Sequence, residues 1–273
     1  MSLDFTSSFS EYLNEKKYLD RELFTKSDQV SPQATTIVAI VYKDGVLMAG
    51  DRRATIGNLV AQNDIEKVFP ADNESIIGIA GSAGIALELV KLFQVELEHY
   101  EKIEGTQLSV VGKANRLSVL LRGNLGLAFQ GLAAIPLFAA YDKDQNTGRV
   151  FSYDVTGGRY EEHDYYAVGS GSIFAKSSLK KMYTENLDEK MAIRISLESL
   201  YDAAEEDSAT AGIDITRQIY PIVSLVNSQG YRRISDNQLN EIATKIFGER
   251  KNRPDGPIAR MTWPYRFMCH LSK

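Results

Sequence analysis

The sequence has little cysteine, little histidine and no long apolar run. Its one cysteine, Cys269, excludes an internal disulfide framework and fits a reducing compartment. No stretch approaches the ~18–20 apolar residues that a membrane-spanning helix needs. Residues 1–33 are polar and of mixed charge, without the apolar core of a secretory signal. These absences predict a cytoplasmic protein with no membrane partner.

A strong excess of one charge is also lacking. The chain has 31 basic and 36 acidic residues, which gives a formal net charge of −5. This balance favours neither nucleic acid nor an anionic membrane as the main partner. With 273 residues, 44% of them hydrophobic, the chain is long enough for one large domain or two small ones.

Several familiar catalytic motifs are missing. The three histidines stand in no H-E-x-x-H pattern and no C-x-x-C pair occurs, which argues against a catalytic zinc site. A phosphate-binding P-loop is absent as well. The run at residues 169–172 resembles a nucleophile elbow only superficially, because Phe174 stands where that motif needs glycine. We therefore expect no cofactor and no histidine-based mechanism.

Three zones follow one another along the chain. Residues 1–34 are charged and weakly patterned, and we interpret them as a disordered leader. Residues 35–249 are well patterned and form the predicted domain. Residues 250–273 carry six basic residues against a single acid, Asp255, and are broken by three prolines. We expect a disordered basic extension there, with docking onto a neighbouring subunit as the alternative.

The middle zone predicts strands and helices in separate groups. Predicted strands cover residues 35–42, 46–51, 74–81, 137–141, 149–153, 165–168 and 220–226. Predicted helices cover residues 85–100, 110–132, 173–183, 190–204 and 236–246, the second ended by Pro136 and the last capped by an aspartate. This order argues against simple βαβ winding. It favours an α+β fold in which antiparallel sheets pack face to face, with helices on their outer faces.

One nucleophile system needs no histidine. An N-terminal threonine can use its own α-amino group as the base, because a free α-amine has a pKa of about 7.7–8.0. A nearby lysine would lower that pKa further, and a carboxylate would orient the lysine. Thr35 heads a predicted strand, Asp51 ends the return strand and Lys67 follows in an acidic stretch. Each also has an ordinary interpretation, as a strand residue, a turn acid and a surface charge.

Several motifs together resemble the β-subunits of the proteasome. Asp51 and Lys67 stand 16 and 32 residues after Thr35, which are the separations found in that family. Similar motifs occur in the family's order at residues 35–39, 48–55, 78–83, 168–172 and 207–212. Residues 95–102, 122–125 and 174–178 look like the actinobacterial branch. The resemblance covers about residues 35–249.

The resemblance implies a four-layer αββα sandwich of the N-terminal-nucleophile hydrolase type. Thr35 would be the nucleophile of a threonine endopeptidase, with Asp51 and Lys67 as its partners. Ser170, Asp207 and Thr210 would form a supporting polar network, and the Gly81 N–H would bind the oxyanion.

The resemblance also implies how a substrate is bound. Main-chain groups of Thr55 and Ala83 would pair with an extended substrate as an added strand. By resemblance the specificity pocket is formed by apolar side chains, namely Ala54, Ile65, Phe69, Ile79, Ala83 and Leu87. Such a pocket predicts a preference for apolar or aromatic P1 residues.

The junction before Thr35 departs from the family pattern. The family cuts between glycine and threonine, whereas Ala34 precedes Thr35 here. Removal of the leader requires a tight turn that glycine adopts more readily than alanine. We expect cleavage between Ala34 and Thr35, either slower than usual or blocked by an alteration that keeps the leader in place.

The family also implies partners. Seven β-subunits form a ring, two such rings stack, and rings of α-subunits gate the ends. A hexameric ATPase would feed in unfolded protein substrates, in some cases tagged by a prokaryotic ubiquitin-like protein. Two alternatives are the bacterial two-ring relative, which lacks the long leader and the late 207–212 motif, and a non-catalytic ring subunit. The second usually loses Thr, Asp or Lys from the site, and all three remain here.

Overall fold

A computed structural model describes residues 35–257 of the chain. The predictions for residues 1–34 and 258–273 lie outside the described residues. The strands, in chain order, are β1 (Thr36–Tyr42), β2 (Gly45–Gly50), β3 (Ala54–Ile56), β4 (Leu59–Gln62), β5 (Val68–Asp72), β6 (Ser75–Gly81), β7 (Ala134–Asp142), β8 (Thr147–Tyr153), β9 (Arg159–Glu162), β10 (Tyr165–Gly169), β11 (Ile222–Asn227) and β12 (Gly230–Arg233). The helices are α1 (Ala83–Glu104), α2 (Val110–Gly123), α3 (Leu125–Ala128), α4 (Ser172–Met182), α5 (Glu189–Glu206) and α6 (Asp236–Asn252).

Ten of the strands form two antiparallel sheets. The first sheet has the order β10-β1-β2-β11-β12 and the second the order β5-β6-β7-β8-β9, while β3 and β4 form a separate hairpin. The predicted hairpin at Lys43–Gly45 joins β1 to β2, with Ile37 opposite Gly50. On the other side of β1, Thr36 lies opposite Gly169 of β10. The start of β1 is therefore enclosed between two neighbouring strands.

The two sheets pack face to face over an apolar core. Side chains alternate between the faces of a strand, so Ile37 and Ala39 of β1 point into the space between the sheets. There they join buried residues of the second sheet such as Ile76 and Leu137. This intersheet layer fixes the position of β1 relative to the second sheet.

Helices cover the two outer faces. The residues of β1 that point the other way, Val38 and Ile40, pack with apolar residues of α4, α5 and α6. On the second sheet, α1 and α2 pack over a separate cluster in which the rings of Phe93 and Phe138 meet edge to face, with centroids 5.8 Å apart. The predicted αββα sandwich is confirmed.

Two boundaries in the middle of the chain were predicted wrongly. The second long helix ends at Gly123 and is followed by the single turn α3, because glycines at 123 and 126 weaken the helical stretch. Pro136 does not stop a helix but lies inside β7. It pairs with Ile79 of β6, and the pairing of β7 with β8 begins only at Leu137. Proline is tolerated there because one side of the strand is still unpaired.

Five short strands were missed, namely β3, β4, β5, β9 and β12. Most lie at sheet edges or in the exposed hairpin, where one face has no core to pack against and the apolar alternation is weak. The last helix was predicted too short and with the wrong cap. Its N-cap is Ser235, whose side chain accepts a hydrogen bond from the Gln238 N–H.

The start of the predicted basic extension belongs to the folded domain. Helix α6 continues to Asn252, and the side chain of Arg250 is buried. Its guanidinium donates to Asp202 Oδ1 at 2.6 Å and lies 3.4 Å from Glu198 Oε2. Between residues 35 and 257, no helix is both long enough and apolar enough to cross a membrane.

Candidate active site

Thr35 lies at the head of β1, directly beside the end of β10. Its carbonyl oxygen accepts a hydrogen bond from the Ser170 N–H at 3.0 Å, and the residue is only 4% exposed. Gly169 makes this approach possible. Its φ is +103°, and a Cβ on it would lie 1.8 Å from the Thr35 carbonyl oxygen. The sequence around Ser170 therefore positions backbone groups against Thr35.

Asp51 follows β2 and is almost completely buried. Its Oδ1 accepts from the Thr36 N–H at 2.8 Å and from Lys67 Nζ at 2.8 Å. Its Oδ2 accepts from the Arg53 N–H at 2.9 Å and the Ala211 N–H at 3.0 Å. Because every side of the carboxylate has a donor, its charge is satisfied and its orientation is fixed.

Lys67 lies just before β5 and is 5% exposed. Besides its ion pair with Asp51, its ammonium group donates to the backbone carbonyl oxygen of Arg53. Burial lowers the pKa of Lys67 below its ordinary value, although the Asp51 carboxylate acts in the opposite direction. The site thus contains a largely desolvated cation in a fixed position.

Ser170, Asp207 and Thr210 form a second connected group. Asp207 Oδ2 accepts from the hydroxyls of Ser170 and Thr210, each at 2.6 Å. Thr210 Oγ1 also lies 2.6 Å from the hydroxyl of Thr36. The sequence predicted this network around Thr35. The described side-chain contacts instead reach β1 at Thr36, and Ser170 meets Thr35 through its backbone.

A cleft of about 380 Å³, its open mouth included, adjoins Thr35. Lys67 and Gly81 lie in its wall. The six side chains predicted for the specificity pocket all line it, namely Ala54, Ile65, Phe69, Ile79, Ala83 and Leu87. Thr55 is the next residue after Ala54, on β3. The cleft is therefore mainly apolar and opens beside the predicted nucleophile.

Comparison with known proteins identifies the family of this chain. The family model described as proteasome subunit matches residues 31–216. The chain belongs to the proteasome subunit family. A proteasome subunit beta from Acidothermus cellulolyticus is 58% identical over 232 residues, which cover 84% of this chain and 80% of that protein. A proteasome subunit beta from Streptomyces griseus is 56% identical over 231 residues, 85% of this chain and 82% of the relative. The resemblance to actinobacterial β-subunits is confirmed.

Four residues of this β-subunit's site were not predicted. Glu66 and Ala86 also line the cleft. Ala86 could have been found, because it lies one helical turn after Ala83 on α1. Arg53 donates from Nη1 to the backbone oxygens of Ser208, at 3.0 Å, and Thr210, at 3.3 Å. Thr36 was missed because neighbouring side chains of a strand point to opposite faces, and only Thr35 fits the scheme of an N-terminal nucleophile.

Metal ligation has no support among the residues that the structure describes. Between residues 35 and 257, no group of three or more His, Cys, Asp and Glu side chains is arranged to hold a metal ion. The charged groups of the site are instead engaged with each other and with backbone N–H groups. What the arrangement offers chemically is a threonine beside a buried ammonium group and an apolar cleft.

Proposed function

We propose that this β-subunit is a threonine endopeptidase whose nucleophile is Thr35, exposed when residues 1–34 are removed by its own attack on the preceding carbonyl. The observation that carries the proposal is that Thr35 heads β1 in the wall of the same apolar cleft as Lys67, whose ammonium group is paired with Asp51. This supplies a hydroxyl, a fixed cation and an apolar cleft at one place.

The reaction begins at the freed α-amine of Thr35. The amine accepts the proton of Oγ1 while Oγ1 forms a bond with the scissile carbonyl carbon. The resulting oxyanion accepts a hydrogen bond from the Gly81 N–H, a donor that stabilises the charge as it develops. The protonated amine then gives its proton to the leaving nitrogen as the C–N bond breaks. Water hydrolyses the acyl ester and restores Thr35.

Lys67 and Asp51 support the base. A cation near an amine disfavours a second positive charge, so Lys67 lowers the pKa of the α-amine and increases its neutral fraction near pH 7. Asp51 keeps Lys67 charged and in place through the 2.8 Å ion pair. In the second group, Ser170, Asp207 and Thr210 maintain the shape of the backbone around the nucleophile.

The cleft favours apolar P1 side chains. Its one acidic lining residue, Glu66, is paired through Oε1 with Arg233 Nη1 at 2.8 Å. This pairing weakens the attraction of Glu66 for a basic P1 side chain. Fluorogenic peptides with Phe or Leu at P1 should be cleaved faster than those with Arg or Glu, and the reverse order would contradict the proposal.

As partners we propose other β-subunits, in stacked heptameric rings, and α-subunits that gate the ends of the particle. A ring-shaped hexameric ATPase would deliver unfolded proteins, including ones tagged by a prokaryotic ubiquitin-like protein. We place this particle in the cytoplasm. The support is membership of the family and the identity to proteins named proteasome subunit beta.

The deciding experiment is the intact mass of the subunit after assembly with its α partner, together with mass mapping of a covalent peptide inhibitor. We expect loss of residues 1–34 and one inhibitor on the new N-terminal Thr35. Thr35→Ala should abolish both labelling and peptide cleavage, whereas Thr106→Ala, at an exposed threonine, should change neither. An active particle that retains the full-length mass would overturn the proposal.

A further inference from the structure

Thr36 contacts both groups of the site. On the backbone, its N–H donates to Asp51 Oδ1 at 2.8 Å and its carbonyl oxygen accepts from the Asp51 N–H at 3.1 Å. On the side chain, its hydroxyl oxygen accepts from the Gly171 N–H at 2.9 Å and lies 2.6 Å from Thr210 Oγ1. The residue is completely buried. Thr36 therefore links Asp51, and through it Lys67, with the second group, formed by Ser170, Asp207 and Thr210.

The direction of these hydrogen bonds follows from counting protons. Thr210 has one hydroxyl proton, and the Asp207 carboxylate, 2.6 Å away, can only accept it. The hydroxyl of Thr36 must then donate to Thr210, since Thr210 has no second proton to give. The same hydroxyl accepts from the Gly171 N–H. The hydrogen bonds therefore run in one direction, from the Gly171 N–H through the hydroxyls of Thr36 and Thr210 to the Asp207 carboxylate.

This series of hydrogen bonds ends at Asp207, which also binds the side chain of Ser170. Asp207 Oδ2 accepts the Ser170 hydroxyl, and the Ser170 N–H donates to the Thr35 carbonyl oxygen. Movement of the Asp207–Thr210 segment would therefore move Ser170 and, with it, the peptide group after the nucleophile. Reacting atoms must be placed closely, and a 1 Å misplacement can lower a rate by about 10²-fold.

Resting on the proposed function, we propose that Thr36 is a positioning residue for the reaction at Thr35. Its hydroxyl fixes Thr210, Asp207 and Ser170 against β1. A valine has nearly the same shape but can neither accept from Gly171 nor donate to Thr210. It would leave a buried N–H without an acceptor, which is costly in a site from which water is excluded.

The test compares Thr36→Val with Thr36→Ser in particles assembled with the α partner. Active sites are counted with the covalent inhibitor, so that kcat refers to mature subunits only. We expect kcat of Thr36→Val to fall about 10- to 100-fold. The KM should stay within about twofold, because Thr36 does not line the cleft. Thr36→Ser should keep kcat within about threefold of the unchanged protein, since the hydroxyl remains.

A second variant tests the proposal if Thr36→Val does not assemble into particles. Thr210→Val removes the same hydrogen bond from the other partner, together with the donation to Asp207, and should lower kcat at least as much. Where both single variants assemble, the double variant should be no slower than the worse of the two, because the residues act as one unit. Thr106→Val serves as the matched exposed control.

Three results would overturn the inference. They are an unchanged kcat in either valine variant, an equal loss of kcat in Thr36→Val and Thr36→Ser, and a loss confined to KM. Equal loss with serine would show that packing of the methyl group, not the hydroxyl, matters. None of these results touches the proposed function, which fails only if Thr35 is not the labelled residue or Thr35→Ala remains active.

Discussion

Replacing Gly169 by alanine tests how closely β10 must approach Thr35, the proposed nucleophile. The added Cβ would lie 1.8 Å from the Thr35 carbonyl oxygen and 2.7 Å from its carbonyl carbon. Both atoms belong to the backbone, so no flexible side chain can move aside. An ordinary carbon–oxygen contact is longer than about 3 Å. The end of β10 and the start of β1 must therefore separate by about 1 Å. That shift breaks or lengthens the hydrogen bond from the Ser170 N–H.

Two effects combine in this variant. A φ of +103° is unfavourable for alanine, and such strain costs about 1–3 kcal/mol. The displacement of Thr35 adds a loss of activity, which we expect to reach about 100-fold in kcat. Stability and catalysis should thus both fall, with the loss of kcat larger than backbone strain alone explains.

Two other glycines separate these effects. Gly105 also has a positive φ, +68°, but a Cβ there meets nothing within 4 Å. Gly105→Ala should therefore lower stability by about 1 kcal/mol and leave kcat unchanged. Gly248 lies inside α6 in open space with an ordinary φ, and Gly248→Ala should be neutral or slightly stabilising.

The assay is urea unfolding of each unassembled subunit, followed by kcat per titrated active site in the assembled particle. A Gly169→Ala variant that retains kcat within threefold of the unsubstituted protein would contradict this prediction. So would a Gly105→Ala variant that loses as much activity as Gly169→Ala, because the contact with Thr35 would then play no part.

Three further predictions follow from other parts of the chain. Arg250→Met should lower the free energy of unfolding by about 3 kcal/mol in urea titrations, because the buried Glu198 then has one cationic partner fewer. A loss below about 1 kcal/mol would contradict this prediction. Because burial lowers the pKa of Lys67, its positive charge should be lost as pH rises before the ordinary lysine value of 10.5 is reached. We therefore expect kcat, measured against pH, to decline below pH 10.5. A decline only above that pH would contradict the prediction. Ala34→Gly should speed loss of the leader in time-resolved intact-mass measurements without changing kcat of the mature particle, whereas unchanged processing would show that the turn at residue 34 is not limiting.

Much of the fold follows from local patterns. The Asp44-Gly45 turn between two apolar runs predicted the β1–β2 hairpin, and the separate groups of strands and helices predicted the layers. These features depend on residues close together in the chain, so periodicity and turn chemistry suffice to find them. Edge strands such as β9 and β12 pair with the strand directly before them, but each is only four residues long and its residues show little apolar alternation.

The site divides in the same way. Thr35, Asp51 and Lys67 could be selected because they fit one chemical scheme, and the family spacing made the selection specific. The contact between Thr36 and Thr210 joins residues 174 positions apart, and no local signal marks it. Arg250 was hidden for a related reason. Within a basic run it looks like a solvated charge, and only its partners Glu198 and Asp202, 52 and 48 positions earlier, make burial tolerable.

The peptide group between Thr35 and Thr36 is hydrogen-bonded to both groups of the site. Its carbonyl oxygen accepts from Ser170, and its N–H donates to Asp51. One planar unit is thus held at both polar atoms, each by a different group, and rotation about it would break one bond or the other. Neither bond uses an atom on the N-terminal side of Thr35. We therefore expect the same two hydrogen bonds in the chain with its leader attached and in the chain with Thr35 free, and a substitution at residue 34 should leave the placement of Thr35, the proposed nucleophile, unchanged.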